Sequence, residues 1–127
     1  MILFNGPLTA SFKETKVFAI QAREFTIDFM IVASGGPSTV QCYCEFAEEL
    51  TGPWFREIAQ EDGGAGVVLM PAVVRTFAVT GGSNLPDGTY NFDAQFIRRH
   101  KLVRLQMAVP TGAARVKVTA PFGLSAS

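Results

Sequence analysis

Between Tyr90 and Ala120 the chain reads Tyr90-Asn91-Phe92-Asp93-Ala94-Gln95-Phe96, a basic break Arg98-Arg99-His100-Lys101, then Leu102-Val103-Arg104-Leu105-Gln106-Met107-Ala108-Val109. A Pro110-Thr111-Gly112 break follows, and then Arg115-Val116-Lys117-Val118-Thr119-Ala120. In-facing and out-facing residues alternate in all three runs. Tyr90, Phe92, Ala94 and Phe96 share one face; so do Val103, Leu105, Met107 and Val109, and so do Ala114, Val116, Val118 and Ala120. A period of two marks strands buried on one side, because successive Cβ atoms point to opposite faces of a sheet. Both breaks are short, so the three runs are expected to pair in order as an antiparallel meander.

The same alternation recurs upstream. Phe25, Ile27, Phe29, Ile31 and Ala33 share a face, and Thr39 to Ala47 places Val40, Cys42, Cys44 and Phe46 inward with Gln41, Tyr43 and Glu45 outward. Ser34-Gly35-Gly36-Pro37-Ser38 between them reads as a turn. Lys16 to Ala22 is a short strand. Met1 to Ala10 is an apolar arm broken at Gly6-Pro7, either a first edge strand or an arm lying on a neighbour. Glu48 to Pro53 makes a corner, and Gly52-Pro53 ends any helical turn begun at Phe46. Trp54 to Gln60 is a strand of mixed pattern, followed by a loop, Glu61 to Gly66. Val67 to Thr80 divides at Pro71, which has no N–H to give a ladder; Val73 to Thr80 is the firmer half. Gly81 to Gly88 is a second loop and Pro121 to Ser127 a tail. The expectation is one all-β domain over residues 1–127, an antiparallel β-sandwich (jelly-roll-like or immunoglobulin-like) or small barrel of about seven to nine strands.

Hydrophobic residues make up 48% of the 127 and mean hydropathy is +0.24. The longest apolar stretch, Val67 to Val74, is far short of the roughly 20 residues of a membrane helix. Met1-Ile2-Leu3-Phe4 has no basic segment before it and is broken by Asn5-Gly6-Pro7, so it does not read as a secretory signal. No membrane partner is expected, and the apolar excess is expected to meet other protein chains, copies of this one included. Formal net charge is zero, which argues against direct nucleic-acid binding. Its placement is uneven: nine acidic against four basic side chains through Gly64, two against seven after it. Either the halves neutralise each other within one fold, or they form complementary patches between subunits.

Little here carries chemistry. Cys42 and Cys44 lie two apart in a strand pattern, point the same way and read as buried free thiols. Gly63-Gly64-Ala65-Gly66 and Gly81-Gly82 lack the helix and lysine of a phosphate loop and read as turns. Glu48-Glu49 and Glu61-Asp62 read as solvated corners rather than Ca²⁺ loops. No nucleophile or acid–base set converges, so neither an enzyme, a cofactor nor a metal is expected. Arg98, Arg99, His100 and Lys101, with outward Arg104, Arg115 and Lys117, form a basic group, and Arg99, Arg104, Arg115 and Lys117 share one outer surface if the last three strands pair in order. That surface reads equally as a grip on an acidic protein face or phosphates, or as charge that keeps edges apart. Trp54, with Tyr43 or Tyr90, is either core and interface or a sugar-stacking platform.

Thr39-Val40-Gln41-Cys42-Tyr43-Cys44-Glu45-Phe46 running through Thr51-Gly52-Pro53-Trp54 into Phe55-Arg56-Glu57-Ile58 is similar to small β-sandwich structural proteins of tailed-phage virions, the capsid decoration (cement) type in particular. The Leu102–Val109 and Arg115–Thr119 strands with Gly112 match the same pattern, over about the last two thirds of the chain. The resemblance implies a non-enzymatic protein, made in the host cytoplasm, on the outer capsid surface. It would often be a trimer and would bridge major-capsid or other virion subunits. The contact candidates are Met1, Ile2, Leu3 and Phe4 (the arm to Leu8), Val67, Val68, Leu69 and Met70 (to Val74), and the charged Arg98, Arg99 and Lys101. The competing class is a carbohydrate-binding β-sandwich module of a tail fibre or secreted protein, with Trp54, Tyr43 or Tyr90 as the platform.

Overall fold

The computed structural model describes residues 1–56, 59–62, 67–70, 75–77 and 87–127. Their strands are β1 (Ile2–Pro7), β2 (Lys13–Glu14), β3 (Phe18–Ile20), β4 (Glu24–Ala47), β5 (Phe55–Arg56), β6 (Ala59–Asp62), β7 (Val67–Met70), β8 (Arg75–Phe77), β9 (Gly88–Ile97), β10 (Leu102–Thr119) and β11 (Leu124–Ala126). Every pairing is antiparallel, and no helix occurs among the described residues. The chain is all-β, as its alternation implies.

Two strands are much longer than expected. β4 and β10 pair with each other from Leu102↔Ala47 to Thr119↔Asp28, with the register broken only around Thr111. The meander is therefore corrected. Leu102–Val109 and Arg115–Thr119 are not neighbours; they are two halves of one strand, and each pairs with a different half of β4. Ser34–Ser38 and Pro110–Gly112 are corners rather than reversals. They lie opposite each other in the ladder (Thr111↔Thr39, Ala113↔Ser34), so when one strand bends its partner bends with it. Gly35, Gly36 and Gly112 supply the bend at φ +76°, +95° and +82°, a region other residues enter only at a cost.

The bend folds the sheet onto itself. The rings of Phe25 and Phe46, near opposite ends of β4, lie 6.4 Å apart, where a straight strand would separate them by roughly 70 Å. Phe96 packs against both, at 5.1 and 5.3 Å. One arm carries β1, the far half of β10, the near half of β4, β9, β6 and β7. The other carries β2, β3, β11, the remaining halves of β10 and β4, and β5 and β8. The in-facing residues of both arms meet in a single core, with Ile27, Ile31, Val40, Leu105, Val116 and Val118 buried at its centre. Hydrogen bonding is continuous round the corner in one sheet, where a sandwich with two separate sheets would have a break.

The corner is locked by Ser38, whose hydroxyl is buried. It lies within hydrogen-bond reach of the carbonyls of Ser34 (3.3 Å), Gly36 (3.2 Å) and Ala113 (3.1 Å), which share its one proton, and it accepts from the Ala113 N–H at 3.2 Å. The hydroxyl thus replaces ladder bonds that the bend removes.

Both termini belong to the sheet. The arm is an edge strand of its own domain, with Leu3 and Leu8 in the core and the terminal amine donating to the Ala120 carbonyl at 3.0 Å. The tail is not free either: β11 pairs with β3, and Ser127 Oγ donates to the Val17 carbonyl at 2.9 Å. Glu61-Asp62, expected in a loop, ends β6. The glycine loops at 63–66 and 81–86, the 71–74 stretch and the second half of the 73–80 strand lie outside the described residues.

Candidate functional site

At the end of the molecule opposite the corner, Ile97 lies across from Glu24 and Leu102 across from Ala47, the two ends of β4. Arg98–Lys101 is therefore a crossover between the arms rather than a hairpin corner. It is pinned by its backbone: Arg98 N–H donates to the Arg23 carbonyl at 2.7 Å, and Ile20 N–H to the Lys101 carbonyl at 2.8 Å. His100 turns inward, stacks on Phe55 (5.7 Å between centroids) and places Nδ1 2.9 Å from Glu48 Oε1. Arg98, Arg99 and Lys101 point into solvent and form no ion pair with any described residue.

Exposed apolar side chains gather at this same end. Leu50 and Phe55 follow the far end of β4; Ile97 precedes the crossover. Phe122 sits beside Gly123, whose backbone packs so closely on Ala22 and Phe25 that an added Cβ would come within 3.1 and 3.0 Å of theirs. Met1 and Ile2 border Ala120 and Thr119. Six of the nine exposed large hydrophobics among the described residues thus lie on segments that meet at one end. Leu3 and Phe4, proposed with Met1 and Ile2, pack inward instead. The backbones of Val67–Met70 form the strand beyond β6; their side chains lie outside the described residues.

The single basic face expected from Arg99, Arg104, Arg115 and Lys117 is corrected, because β10 bends between its members. Arg104 lies opposite Glu45 on one arm; Arg115 and Lys117 lie opposite Val32 and Met30 on the other. Arg104 donates through Nε to Glu45 (3.1 Å), and its Nη1 is 3.1 Å from Glu14. Its guanidinium covers the Trp54 ring at 3.9 Å. Gln106 donates to the same two carboxylates at 2.7 and 3.1 Å. Every ion pair described joins an acid of the first half of the chain to a base of the second, so part of the uneven charge is neutralised within the fold.

Of the platform residues, Trp54 and Tyr90 lie on different arms. Trp54 is half-buried under Arg104, and Tyr90 packs against the core on the other arm. Tyr43 pairs with Gln106 through its backbone; its side chain lies outside the described residues. Cys42 and Cys44 are buried as thiols rather than joined in a disulfide, and burial, with a smaller push from Glu45, raises the Cys44 thiol to about 12. No three His, Cys, Asp or Glu side chains converge on a metal position among the described residues. No helix among them is long and apolar enough to cross a membrane.

A cleft of about 320 Å³ lies on the outer face of the β4–β9 arm, lined by Asp28, Phe29, Met30, Asn91, Asp93, Lys117 and Thr119. Asp28 and Asp93 are direct cross-strand partners and both line this cleft. Burial, then the proximity of the Asp93 carboxyl and its charge, push Asp28 up to about 6. Sequence reading passed over this pair. Each residue was legible as outward-facing on its own strand, but nothing in the sequence says that the two strands pair at that register.

No family model, no curated protein and no solved structure matches the chain.

Proposed function

We propose that this chain is a non-enzymatic structural protein of a virion, one that decorates a phage-type capsid by docking the crossover end of its folded sheet onto neighbouring capsid subunits. The observation that carries this reading is the coincidence, at one end, of six exposed apolar side chains with Arg98, Arg99 and Lys101, none of them in an ion pair with a described residue. Apolar area supplies affinity, and cations around it select an acidic partner face. A homotrimer multiplies that contact, since each copy engages the lattice at once. The carbohydrate-binding alternative needs an open aromatic face, and Arg104 covers Trp54.

Light scattering over a concentration series tests the oligomer, and co-sedimentation with purified phage capsid shells tests the docking. A closed oligomer that sediments with shells, and loses that binding in I97D/F122D or R98E/R99E, is the expected result. A chain that stays monomeric and leaves shells alone, or variants that bind as well as the parent, would overturn the reading. A blue-shifted Trp54 emission indifferent to glycans is expected in parallel.

A further inference from the structure

On one arm, β1, β10, β4 and β9 lie side by side, and the ladder fixes what stands where on their outer face. Outward positions of an antiparallel sheet that meets water are expected to be polar. On β4, an inner strand of the four, two of them are apolar: Met30 and Val32 are each 41% exposed. The charges around them are sorted by sign. Lys117 and Arg115 lie opposite Met30 and Val32, on the β10 side. Asp28, the outward residue of β4 before Met30, lies opposite Asp93, on the β9 side. Neither the two cations nor the two carboxylates form an ion pair with a described residue.

We propose that this face docks a second copy of the chain, with Met30 at the centre of the contact and Asp28 and Asp93 of each copy set against Lys117 and Arg115 of the other. The spacing allows both pairs at once. Asp28 and Asp93 stand one strand apart, roughly 4.8 Å, and Lys117 and Arg115 stand two residues apart on one strand, roughly 6.6 Å. The two charge pairs lie diagonally on either side of Met30. A two-fold axis that runs in the plane of the contact and passes Met30 therefore brings Lys117 over Asp28 and Arg115 over Asp93. It does so twice, because an isologous contact repeats every pairing. The sheets of the two copies then cross steeply, in the orthogonal class of sheet packing. The cleft of about 320 Å³ beside the carboxylates gives the incoming side chains room. Four strands by three outward rows cover roughly 19 by 20 Å, about half the area per partner of a standard interface. The dimer is thus expected to dissociate on dilution. A two-fold contact doubles whatever ring the crossover end supports; it goes beyond the docking reading and does not depend on it.

Charge reversal tests it. R115E/K117E makes the four charged positions all acidic, and D28K/D93K makes them all basic. Sedimentation equilibrium from about 1 μM to about 1 mM is expected to show the parent in an even number of copies at the top of the range, and each variant alone in half that number. Mixed one to one, the two variants should pair again, since every charge then meets its opposite, and the rescue also shows that both fold. A second reading needs no reversal. Sheets packed face to face stand about 10 Å apart, a gap that a short bismaleimide spans. It is expected to join M30C to M30C, and to leave Q95C, exposed on β9 but off the contact, at the rate of chance collision. Where a reversed variant loses the parent's circular dichroism, the cysteine pair decides. A parent that stays monomeric or odd-numbered, folded variants that keep the parent's mass or fail to pair when mixed, or an M30C that links no faster than Q95C, would overturn the contact.

Discussion

A hydroxyl and a hydrogen atom hold the corner. Gly112 sits at φ +82°, and a Cβ built there would lie 2.2 Å from Ser38 Oγ and 2.8 Å from its Cα. Gly36 has a similar φ, +95°, but nothing within 4 Å of the same position. Gly36→Ala should therefore cost only the backbone term, about 1–2 kcal/mol. Gly112→Ala adds a clash with buried backbone and should cost about 2–4 kcal/mol in urea unfolding. Ser38→Ala strands the Ala113 N–H and should cost about 1–3 kcal/mol. If the two glycine variants unfold alike, the contact at Gly112 is not what fixes the bend. Cys44 makes a second residue-scale case. With its thiol raised to about 12 by burial, it is expected to ignore a thiol reagent at neutral pH while folded and to react once urea exposes it.

At the scale of elements, the alternation of in and out was legible along both halves of β4 and of β10. Val103, Leu105, Met107, Val116 and Val118 all proved buried, as their period demands. Pairing was not legible, because side-chain period says which face a residue takes and nothing about its neighbour strand. Glycine and proline announced a change of direction at 34–38 and 110–112, but the same residue types serve a hairpin turn and a bend within a strand. The Arg98–Lys101 break was found for its charge and misjudged as a hairpin for the same reason. β11 escaped notice because three residues are too short for a period. Deleting Leu124–Ser127 uncovers β3, and with it the edge beside Phe18 and Ile20; it should lower stability by about 2 kcal/mol. Arg104→Ala tests a different joint. It removes the tie between Glu14 and Glu45 and bares one face of Trp54, so it should cost about 1–2 kcal/mol and red-shift the tryptophan emission. An unchanged spectrum would mean that the guanidinium does not cover the ring in solution.

For the whole molecule, the sign of the pH dependence follows from Asp28. Its folded value, about 6, stands above the ordinary 3.8, so the folded chain binds the extra proton between those limits. Stability should therefore be complete below about pH 4 and should fall as pH rises to about 6, by on the order of 1–2 kcal/mol after allowance for solvent. Urea midpoints of the parent and D28N across that range check it, and a parent midpoint that rises with pH contradicts the assignment. The charge split between the halves of the chain, visible in the sequence as a bare count, resolves in part into pairs such as Arg104 with Glu14 and Glu45. The crossover cations remain outside that neutralisation and stay available to a partner.

The β4–β10 ladder also sets an order in time. Its two strands are separated by everything from Glu48 to Lys101, yet they form the middle of the one sheet on which the core is built. A ribosome that has released the chain only as far as Lys101 presents β4 with one long edge bare and Phe25, Ile27, Val40 and Phe46 without the strand that covers them. The domain must wait for its last residues before it can close, and the wait exposes a long apolar strand edge to other nascent chains. Topologies dominated by such distant pairings fold in milliseconds to seconds, so this chain is expected to refold slowly and, during synthesis, to depend on dilution or a chaperone.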